Sequence, residues 1–286
     1  MAKSGPGLSI EPRKDGFGAV VRGVDLSRPL ADGVADSIRE AWSERGVLVF
    51  PEQCLTPEEL ERFTLSLGDF GVDPFIEPMP GHANILEVRR EPDEKATQFG
   101  AAWHSDWSFQ TEPPAGTILH SKVVPPVGGD TLYADGHRAW ETLSDTMKSM
   151  LKGLRAVHSA SFAYGPRGVL AKDVHQRTMH IIISEDAEKT EIHPLVRTHP
   201  VTGRKALFVN PVYTVAVEGL SPEENFMLLK FLYDHMVKDE FVYRHRWEKD
   251  MVVVWDNRST THFADGGYDG HLRLMHRTTV AGDRPF

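Results

Sequence analysis

The stretch MVVVWDNRSTTHFADG, residues 251–266, is typical of the segments that decide the fold of this chain. It opens with the β-branched run MVVVW, which has the length of a strand and is far too short to span a membrane. The turn residues NRST follow, and His262 comes after them, where a loop could bring it to the mouth of a barrel. The stretch therefore predicts a buried strand and a turn that carries a candidate functional side chain.

Short β-rich runs of this kind recur along the chain, separated by Gly, Pro and Asp. They include VLVF (47–50), TILHSKVV (117–124), DTLYAD (130–135), PLVRTH (194–199), KALFVN (205–210) and HLRLMHRTTV (271–280). Helices are fewer, and TPEE (56–59) and SPEE (221–224) have the capping-box pattern of helix starts. Many short strands with a few flanking helices predict a mainly β fold with a jelly-roll core rather than a βαβ fold.

Composition limits the classes of function. A net charge of −9 and a pI near 5.9 argue against a nucleic-acid-binding protein, although a local basic pocket for a small anion stays compatible with them. Cys54 is the only cysteine, so no internal disulfide can form. The first residues lack the apolar core of a signal peptide, and no apolar run is long enough to cross a membrane. We therefore expect a cytoplasmic protein without a membrane partner.

No feature of the sequence indicates a domain boundary. The chain has no internal repeat, no low-complexity tract and no long Gly/Ser-rich linker. A β-barrel or sandwich often exceeds 200 residues as one unit, so a length of 286 residues is compatible with a single fold. We therefore expect one domain over residues 1–286.

The motif His104-Ser105-Asp106 in AAWHSDWSFQ (101–110) is the first candidate for chemistry. On a strand, residues two apart point to the same face, so His104 and Asp106 could present two ligands side by side. One more histidine would complete the facial triad that leaves three positions open on a non-haem Fe(II) ion. His262 is favoured among the remaining histidines because of its place after a strand and a turn. Ordinary surface or core histidines are the alternative, since a His-x-Asp motif also arises by chance.

The strand LRLMHRTTV carries Arg273 and Arg277 on one face, because they alternate with Leu274 and His276. Two like charges on one strand face repel, so they lie in solvent or meet anions. One reading is an exposed edge strand with salt bridges, and the other is a barrel wall that binds an anion. In GGDTLYAD (128–135), Thr131 is either an ordinary residue of the turn that follows Gly-Gly, or it presents its hydroxyl group to a site.

The motifs WHSDWSF, PPVGGDTLYAD, HPLVRTHPVTGRKALFVNPVYT, VVVWDNRSTTHFAD and RLMHRTTVAGDRPF occur in this order. In sequence and spacing they resemble the taurine dioxygenase/2,4-dichlorophenoxyacetate dioxygenase (TauD/TfdA) family of Fe(II)- and 2-oxoglutarate-dependent oxygenases. The resemblance runs from about residue 8 to the C-terminus, including the 25 residues from Asp106 to Thr131 and the 11 from His262 to Arg273. It implies a double-stranded β-helix, the jelly-roll variant of that family.

The resemblance also implies roles for single residues. Fe(II) would be bound by three catalytic residues, His104, Asp106 and His262. The keto oxygen and C1 carboxylate of 2-oxoglutarate would chelate the iron, and its distal carboxylate would bind Arg273 and Thr131. Arg277 would face a small anionic substrate, such as a sulfonate, a sulfate ester or an aryloxyalkanoate. The implied reaction uses O2 to hydroxylate a C–H bond and decarboxylates 2-oxoglutarate to succinate and CO2.

Substrate residues depart from the taurine enzymes of the family. Gly100 stands where those enzymes have an asparagine, Asp73 where they have a histidine, and Ile76 where they have a tyrosine. Asp73 would repel a sulfonate unless it is protonated or turned away, and it could suit a cationic part of a substrate. Gly100 leaves room for a larger group, and Trp107 could stack on an aromatic one. We therefore do not expect taurine as the substrate. The polar segment 161–190 resembles the mobile lid that sets substrate choice in the family.

Two other classes of function use the same residues. A zinc- or manganese-dependent hydrolase could bind its metal through the same triad, but it would not need Arg273 and Thr131. A catalytically silent jelly-roll binding protein would normally have lost a metal ligand or the co-substrate arginine. Helices such as residues 222–237 could support a homo-oligomer, and we expect a dimer or tetramer.

Overall fold

Strands contain more residues than helices in the computed structural model of this protein, which describes residues 7–286. The first eight strands are β1 (Ser9–Pro12), β2 (Ala19–Arg22), β3 (Val47–Phe50), β4 (Leu86–Arg90), β5 (Gly116–Val123), β6 (Thr131–Asp135), β7 (Arg155–Ser159) and β8 (Thr190–Pro194). The later strands are β9 (Val196–Thr198), β10 (Lys205–Leu207), β11 (Thr214–Val217), β12 (Val242–His245), β13 (Val252–Asp256), β14 (Thr260–Ala264) and β15 (Arg273–Val280). The prediction of a mainly β protein is confirmed.

The α-helices flank the strands. They are α1 (Val34–Arg45), α2 (Pro57–Leu67), α3 (Gly136–Glu141), α4 (Asp145–Leu151), α5 (Ser161–Tyr164) and α6 (Pro222–Met236). Both predicted capping boxes are present: Thr56 caps α2 with Glu59, and Ser221 caps α6 with Glu224. Short 3-10 turns cover Leu170–Lys172, Val174–Gln176, Glu185–Glu188 and Asp239–Phe241. None of the helices in residues 7–286 has the length and apolar character needed to cross a membrane.

Two sheets face each other and form the jelly roll. The larger has the order β1-β2-β3-β13-β5-β15-β4, and the smaller has the order β12-β6-β14. Val253 and Trp255 of β13 pack between these sheets, whereas Val252 and Val254 pack on the outer side, in the apolar cluster that holds α1 and α2. Because both faces of β13 are covered, the strand reads as a continuous apolar run rather than an alternating one.

Strand β15 lies between β5 and β4, so it is an interior strand of the larger sheet. Arg273 and Arg277 share its inner face, and both side chains are buried. The exposed edge strand considered for this segment is therefore excluded. Two buried guanidinium groups on one wall of a barrel require anions or carboxylates around them.

The predicted strand through His104 and Asp106 needs a correction. His104 forms a single antiparallel bridge with His262, and a turn begins at Asp106. Trp107 within this turn has a φ of 50°, which a strand does not allow. The bridge places His104 beside His262, and the turn brings Asp106 back towards both imidazoles.

Candidate active site

Three ligand side chains converge at one end of the barrel. The backbone bridge between His104 and His262 has N···O distances of 3.0 and 2.7 Å, and it sets their rings side by side. The Nε2 atoms of His104 and His262 lie 3.6 and 3.9 Å from Oδ1 of Asp106. One ligand atom from each residue lies within 4.8 Å of the other two, and all three residues are buried. Facial ligands at metal–ligand distances of about 2.0–2.2 Å lie roughly 3 Å apart, so small movements of these side chains bring the three atoms onto a single ion.

A chain of hydrogen bonds orients the carboxylate of Asp106. Thr117 donates from Oγ1 to Oδ2 of Asp106 at 2.6 Å, and Asn257 donates from Nδ2 to Oγ1 of Thr117 at 2.9 Å. Trp255 fixes the other end of the Asn257 amide by donating to its Oδ1 at 3.0 Å. One oxygen of Asp106 is thereby held by the protein, and the other is directed towards the histidines. Such outer hydrogen bonds are what orient ligands at metal centres.

The protonation states of the triad suit metal binding. Burial lowers the pKa of His262 to about 3, with a further contribution from His104. Burial also lowers the pKa of His104. For Asp106, burial opposes ionisation, but Arg277 and the two histidines outweigh it and bring the pKa to about 2. At neutral pH the triad therefore has two neutral imidazoles and one carboxylate, which are the forms that bind a metal.

Arg273 is a buried cation without a counter-ion. Its side chain is 5% exposed, and no carboxylate among residues 7–286 lies within 4.0 Å of it. Its Nε has no hydrogen-bond partner in the described part of the chain, and Nη2 donates only weakly to the carbonyl of Gly129, at 3.4 Å. Burial lowers the pKa of Arg273, as expected for a cation that no anion stabilises. The site is therefore short of one negative charge.

Thr131 lies on the same cavity as Arg273. Its Oγ1 accepts a hydrogen bond from Nε1 of Trp247 at 3.0 Å. Since an indole N–H can only donate, the hydroxyl proton of Thr131 stays available for another acceptor. Arg273 and Thr131 together offer a guanidinium and a hydroxyl to one anionic group.

One cavity of about 60 Å³ joins these groups to the triad. A second, mostly apolar cavity of about 230 Å³ shares Phe99, Gly100 and His104 with the first. Its other walls include Tyr164 and Tyr213, together with apolar side chains of the 161–190 segment. The site therefore has a charged region near the triad and an apolar region beside it.

Arg277 is held by two carboxylates. Its Nη2 lies 3.2 Å from Oδ1 of Asp106 and 3.4 Å from Oδ1 of Asp73. Asp73 also accepts hydrogen bonds from Nε1 of Trp107 at 2.5 Å and from Oγ1 of Thr279 at 3.1 Å. The guanidinium lies over the Trp107 ring, with Cζ 5.3 Å from the ring centroid. Nε of Arg277 has no hydrogen-bond partner among residues 7–286, so the group can still bind a ligand oxygen.

The remaining predicted substrate residues have different positions. Gly100 lines both cavities, and a Cβ built on it would lie 3.7 Å from Cε1 of His104. Asp73 and Trp107 lie behind Arg277, and neither lines these cavities. Ile76 is buried and bridges Ile181 instead of facing the site. Trp107 is therefore not placed to stack on a ligand, and Asp73 is not placed to repel one directly.

Sequence reasoning missed several residues of the site. These are Thr117 and Asn257 behind Asp106, Trp247 behind Thr131, and Tyr164, Arg177 and Tyr213 on the cavity walls. For Asn257 a signal existed, because it follows directly on the buried strand that leads to His262. Arg177 had no comparable signal, since it lies in a segment without periodicity.

Comparison with known proteins matches this chain to a protein family. The model of the taurine catabolism dioxygenase TauD, TfdA family matches residues 9–279. The alpha-ketoglutarate-dependent sulfate ester dioxygenase of Pseudomonas putida is 30% identical, over 97% of this chain and 91% of its own length. The (S)-phenoxypropionate/alpha-ketoglutarate-dioxygenase of Sphingobium herbicidovorans is 31% identical, over 97% and 96%. The crystal structure of a taurine dioxygenase from Burkholderia xenovorans superimposes with a TM-score of 0.81 at 31% identity, covering 98% of this chain and 91% of the other.

Proposed function

This chain belongs to the taurine catabolism dioxygenase TauD, TfdA family, and from that premise we propose that it is a 2-oxoglutarate-dependent dioxygenase that hydroxylates a C–H bond of a small organic acid. The reaction consumes the substrate R–H, O2 and 2-oxoglutarate, and it yields R–OH, succinate and CO2. One oxygen atom enters the new hydroxyl group, and the other enters succinate. We propose Fe(II) as the metal, because a facial His-Asp-His triad is typical of non-haem Fe(II) oxygenases.

One observation carries the proposal: within residues 7–286 no carboxylate pairs with the buried guanidinium of Arg273, which lies on the same cavity as the triad. A fixed buried cation is costly unless an anion meets it in the working state. The distal carboxylate of 2-oxoglutarate supplies that anion, and the hydroxyl of Thr131 adds a hydrogen bond. A metal-dependent hydrolase would have no use for this second group, which is why the hydrolase is the weaker candidate.

Some of these residues would bind the metal, the co-substrate or the substrate, and others would orient those that bind. His104, Asp106 and His262 would hold the iron, and Thr117 would keep Asp106 in its ligating orientation. When bound, Fe(II) and 2-oxoglutarate supply the activation of O2 and the oxidising power for C–H cleavage. Arg273 and Thr131 would anchor the co-substrate, and Arg277 would hold the anionic group of the substrate. The 161–190 segment would act as the lid that keeps bulk water away from the site.

The proposed substrates are sulfonates, sulfate esters or aryloxyalkanoates with an apolar body. Arg277 suits the anionic group through paired hydrogen bonds, and the cavity lined by Tyr164 and Tyr213 suits the apolar part. Gly100 lines both regions, its φ of 76° favours glycine, and a Cβ there would lie 3.3 Å from Cβ of Ala264. Taurine is small and carries a charged amine, so it does not use this apolar region.

Assembly and location stay predictions. We propose a homo-oligomer, a dimer or tetramer, since α6 exposes Phe226, Met227 and Phe231. A reducing cytoplasmic compartment fits a chain whose only cysteine, Cys54, is exposed and unpaired. We further propose that residues 1–286 act as one domain.

The decisive experiment is an anaerobic titration of the metal-free protein with Fe(II) and 2-oxoglutarate. Chelation of iron by the keto acid should produce a visible charge-transfer band. We expect Arg273→Ala to need about 100-fold more 2-oxoglutarate for the same band, because it loses a charge-assisted, bidentate contact. Arg28→Ala is the matched control, since Arg28 is 81% exposed and far from the site in sequence. No band with Fe(II) demonstrably bound would favour the hydrolase, and a band without succinate formation would favour a silent binding protein.

A further inference from the structure

Arg177 is the one charged side chain that the 161–190 segment contributes to the walls of the triad cavity. Its side chain is 1% exposed, so the guanidinium lies inside the protein although the segment runs over its surface. Met179, two residues further on, lines the same cavity and packs in the apolar cluster of Leu86. The segment therefore inserts one cation into a site that already holds Arg273 and Arg277.

The contacts of Arg177 leave most of its donors unused. Nε donates to Oδ1 of Asp173 at 2.9 Å, and Nη2 lies 2.9 Å from the same oxygen without a hydrogen bond of acceptable geometry. No other protein acceptor in residues 7–286 receives a hydrogen bond from this guanidinium. A guanidinium has five N–H donors in a rigid fork. Because Arg177 lines the cavity, an oxyanion bound there can accept hydrogen bonds from the unused donors.

Backbone contacts on both sides hold Arg177 in place. The carboxylate of Asp173 accepts from the N–H of Thr97 at 2.6 Å, and the carboxylate of Glu94 accepts from the N–H of Thr178 at 3.1 Å. Further along, the N–H of Glu77 donates to the carbonyl of His180 at 2.9 Å. The guanidinium is thus pre-organised, and little conformational entropy is lost when a ligand binds it.

Four other arginines line the cavity. Arg89 donates to Glu91, and Arg90 lies close to the carboxylates of Glu94 and Asp269, so both have acidic partners. Arg273 and Arg277 have the assignments given above. Strand pairing sets Arg273 opposite Arg90 and Arg277 opposite Leu86. The distal carboxylate of 2-oxoglutarate would bind Arg273 and Thr131. The anionic group of the substrate nearest the reacting carbon would bind Arg277. Arg177 lies on the segment that covers the site, and its Nη2 has no hydrogen-bond partner among residues 7–286. Neither of these two anionic groups is assigned to it.

We propose that Arg177 binds a second anionic group of the prime substrate, remote from the group that Arg277 holds. The inference rests on the proposed function and narrows the substrate class to dianions, such as a carboxylate joined by an apolar chain to a sulfonate, sulfate ester or second carboxylate. A monoanion fills the apolar region and Arg277 but leaves the donors of Arg177 unmatched. The dianion satisfies both ends.

The test compares two probes of equal chain length, an alkanesulfonate and an ω-carboxyalkanesulfonate. Their affinities are measured by calorimetry on anaerobic protein loaded with Mn(II) and saturating 2-oxoglutarate, so that binding is read without turnover. We expect the wild type to bind the carboxysulfonate about 10- to 100-fold more tightly, the range of a buried charge-assisted hydrogen bond. Arg177→Met should abolish this preference while leaving the affinities for the alkanesulfonate and for 2-oxoglutarate unchanged.

Arg167→Met is the matched control, because Arg167 lies in the same segment but is 93% exposed. It should keep the full preference, and Arg177→Lys should keep part of it. The proposal is overturned if the wild type does not distinguish the probes, or if Arg177→Met still does. It is also overturned if Arg177→Met weakens 2-oxoglutarate instead, since Arg177 would then serve the co-substrate. Succinate formation is measured separately with Fe(II) and O2, so a failure of the dioxygenase reaction is seen apart from the binding preference.

Discussion

Two carboxylates, those of Asp106 and Asp73, lie close to the guanidinium of Arg277, and each of them neutralises part of its positive charge. Asp106 belongs to the triad, whereas Asp73 lies behind the guanidinium and is held there by Trp107 and Thr279. An anion that binds Arg277 therefore meets a cation already partly neutralised at short range. We therefore expect Asp73 to act as a positioning residue that fixes the direction of the guanidinium and reduces its attraction for anions.

Replacing Asp73 with Asn removes this charge and keeps the shape. The amide oxygen can still accept from Trp107, so Arg277 should stay in place with more of its positive field directed at the ligand. We expect KM for an anionic substrate to fall about fivefold, the effect of roughly 1 kcal/mol of added attraction. We also expect a loss of about 1–3 kcal/mol in the free energy of unfolding, since a buried ion pair is broken. Steady-state kinetics and denaturant titration measure the two effects.

Thr279→Val is the control for Asp73→Asn, because it removes a hydrogen bond to Asp73 without changing a charge. It should cost stability and leave KM nearly unchanged. A higher KM in Asp73→Asn would show that orientation of Arg277 outweighs its field. In that case Asp73 would act only by holding the guanidinium in place.

At the scale of elements, two adjacent residues at the end of β13 make hydrogen bonds on opposite sides of the strand. Asp256 turns to one side, where it accepts hydrogen bonds from Arg258 and lies 3.0 Å from Nε2 of His199. Asn257, the next residue, turns to the other side and supports Thr117 and so Asp106. Adjacent residues of an extended segment point to opposite faces, so one strand end can support the scaffold and the triad together.

Thr117→Val tests this support of the proposed metal site. The substitution removes the hydroxyl that donates to Oδ2 of Asp106, so the carboxylate is free to rotate away from its ligating position. We expect the affinity for Fe(II) or Mn(II) to fall about 10-fold, the lower end of the effects of outer-shell partners. The dissociation constant is measured by anaerobic metal titration of the metal-free protein.

Thr261→Val is the matched control for Thr117→Val. Thr261 adjoins His262 in sequence, and its buried hydroxyl has no hydrogen-bond partner among residues 7–286. Removing that hydroxyl should leave the metal affinity unchanged. Equal metal affinities in Thr117→Val and the wild type would mean that Thr117 does not orient the ligand.

The sequence predicts some elements far better than others, for physical reasons. Strand β13 is recognisable because both of its faces are buried, and α2 and α6 because their capping boxes are local patterns. The contact between Asp73 and Trp107 joins residues 34 apart, so no local pattern indicates it. The same holds for Arg177, whose burial depends on packing of an aperiodic segment. The turn at Asp106 was missed because an alternating sequence also fits a strand.

At the scale of the whole molecule, the interior contains several histidines that lie outside the triad. Burial is the main cause that lowers the pKa of four of them: His120 to about 4, His158 to about 3, His245 to about 4 and His276 to about 4. Each is neutral in the folded protein at neutral pH. Each takes up a proton near pH 6.5 once the chain unfolds and exposes it.

These histidines predict the pH dependence of stability. Their folded pKa values lie below the unfolded value, so between about pH 6.5 and 4 the unfolded chain binds protons that the folded protein does not. The free energy of unfolding should therefore fall as the pH is lowered from 6.5, by up to about 1.4 kcal/mol per pH unit for each histidine. Above pH 7 these groups contribute no slope. Denaturant titrations of the metal-free protein from pH 8 to pH 5 measure the effect.

His158→Phe and His175→Gln separate this cause from a general acid effect. His158 is fully buried, packs against Phe208 and shares a hydrogen bond of 3.1 Å between its Nδ1 and Oγ of Ser108. Phe keeps the ring packing and loses this hydrogen bond, and the slope below pH 6.5 should become shallower. His175 is exposed, and its replacement should leave the slope unchanged. Stability that is equal at pH 5 and pH 8 in the wild type would contradict the argument, because the buried imidazoles would then accept protons at no cost to the fold. A slope that survives in His158→Phe would assign the acid sensitivity to the other buried histidines whose pKa is lowered, among them His262 of the metal-free triad.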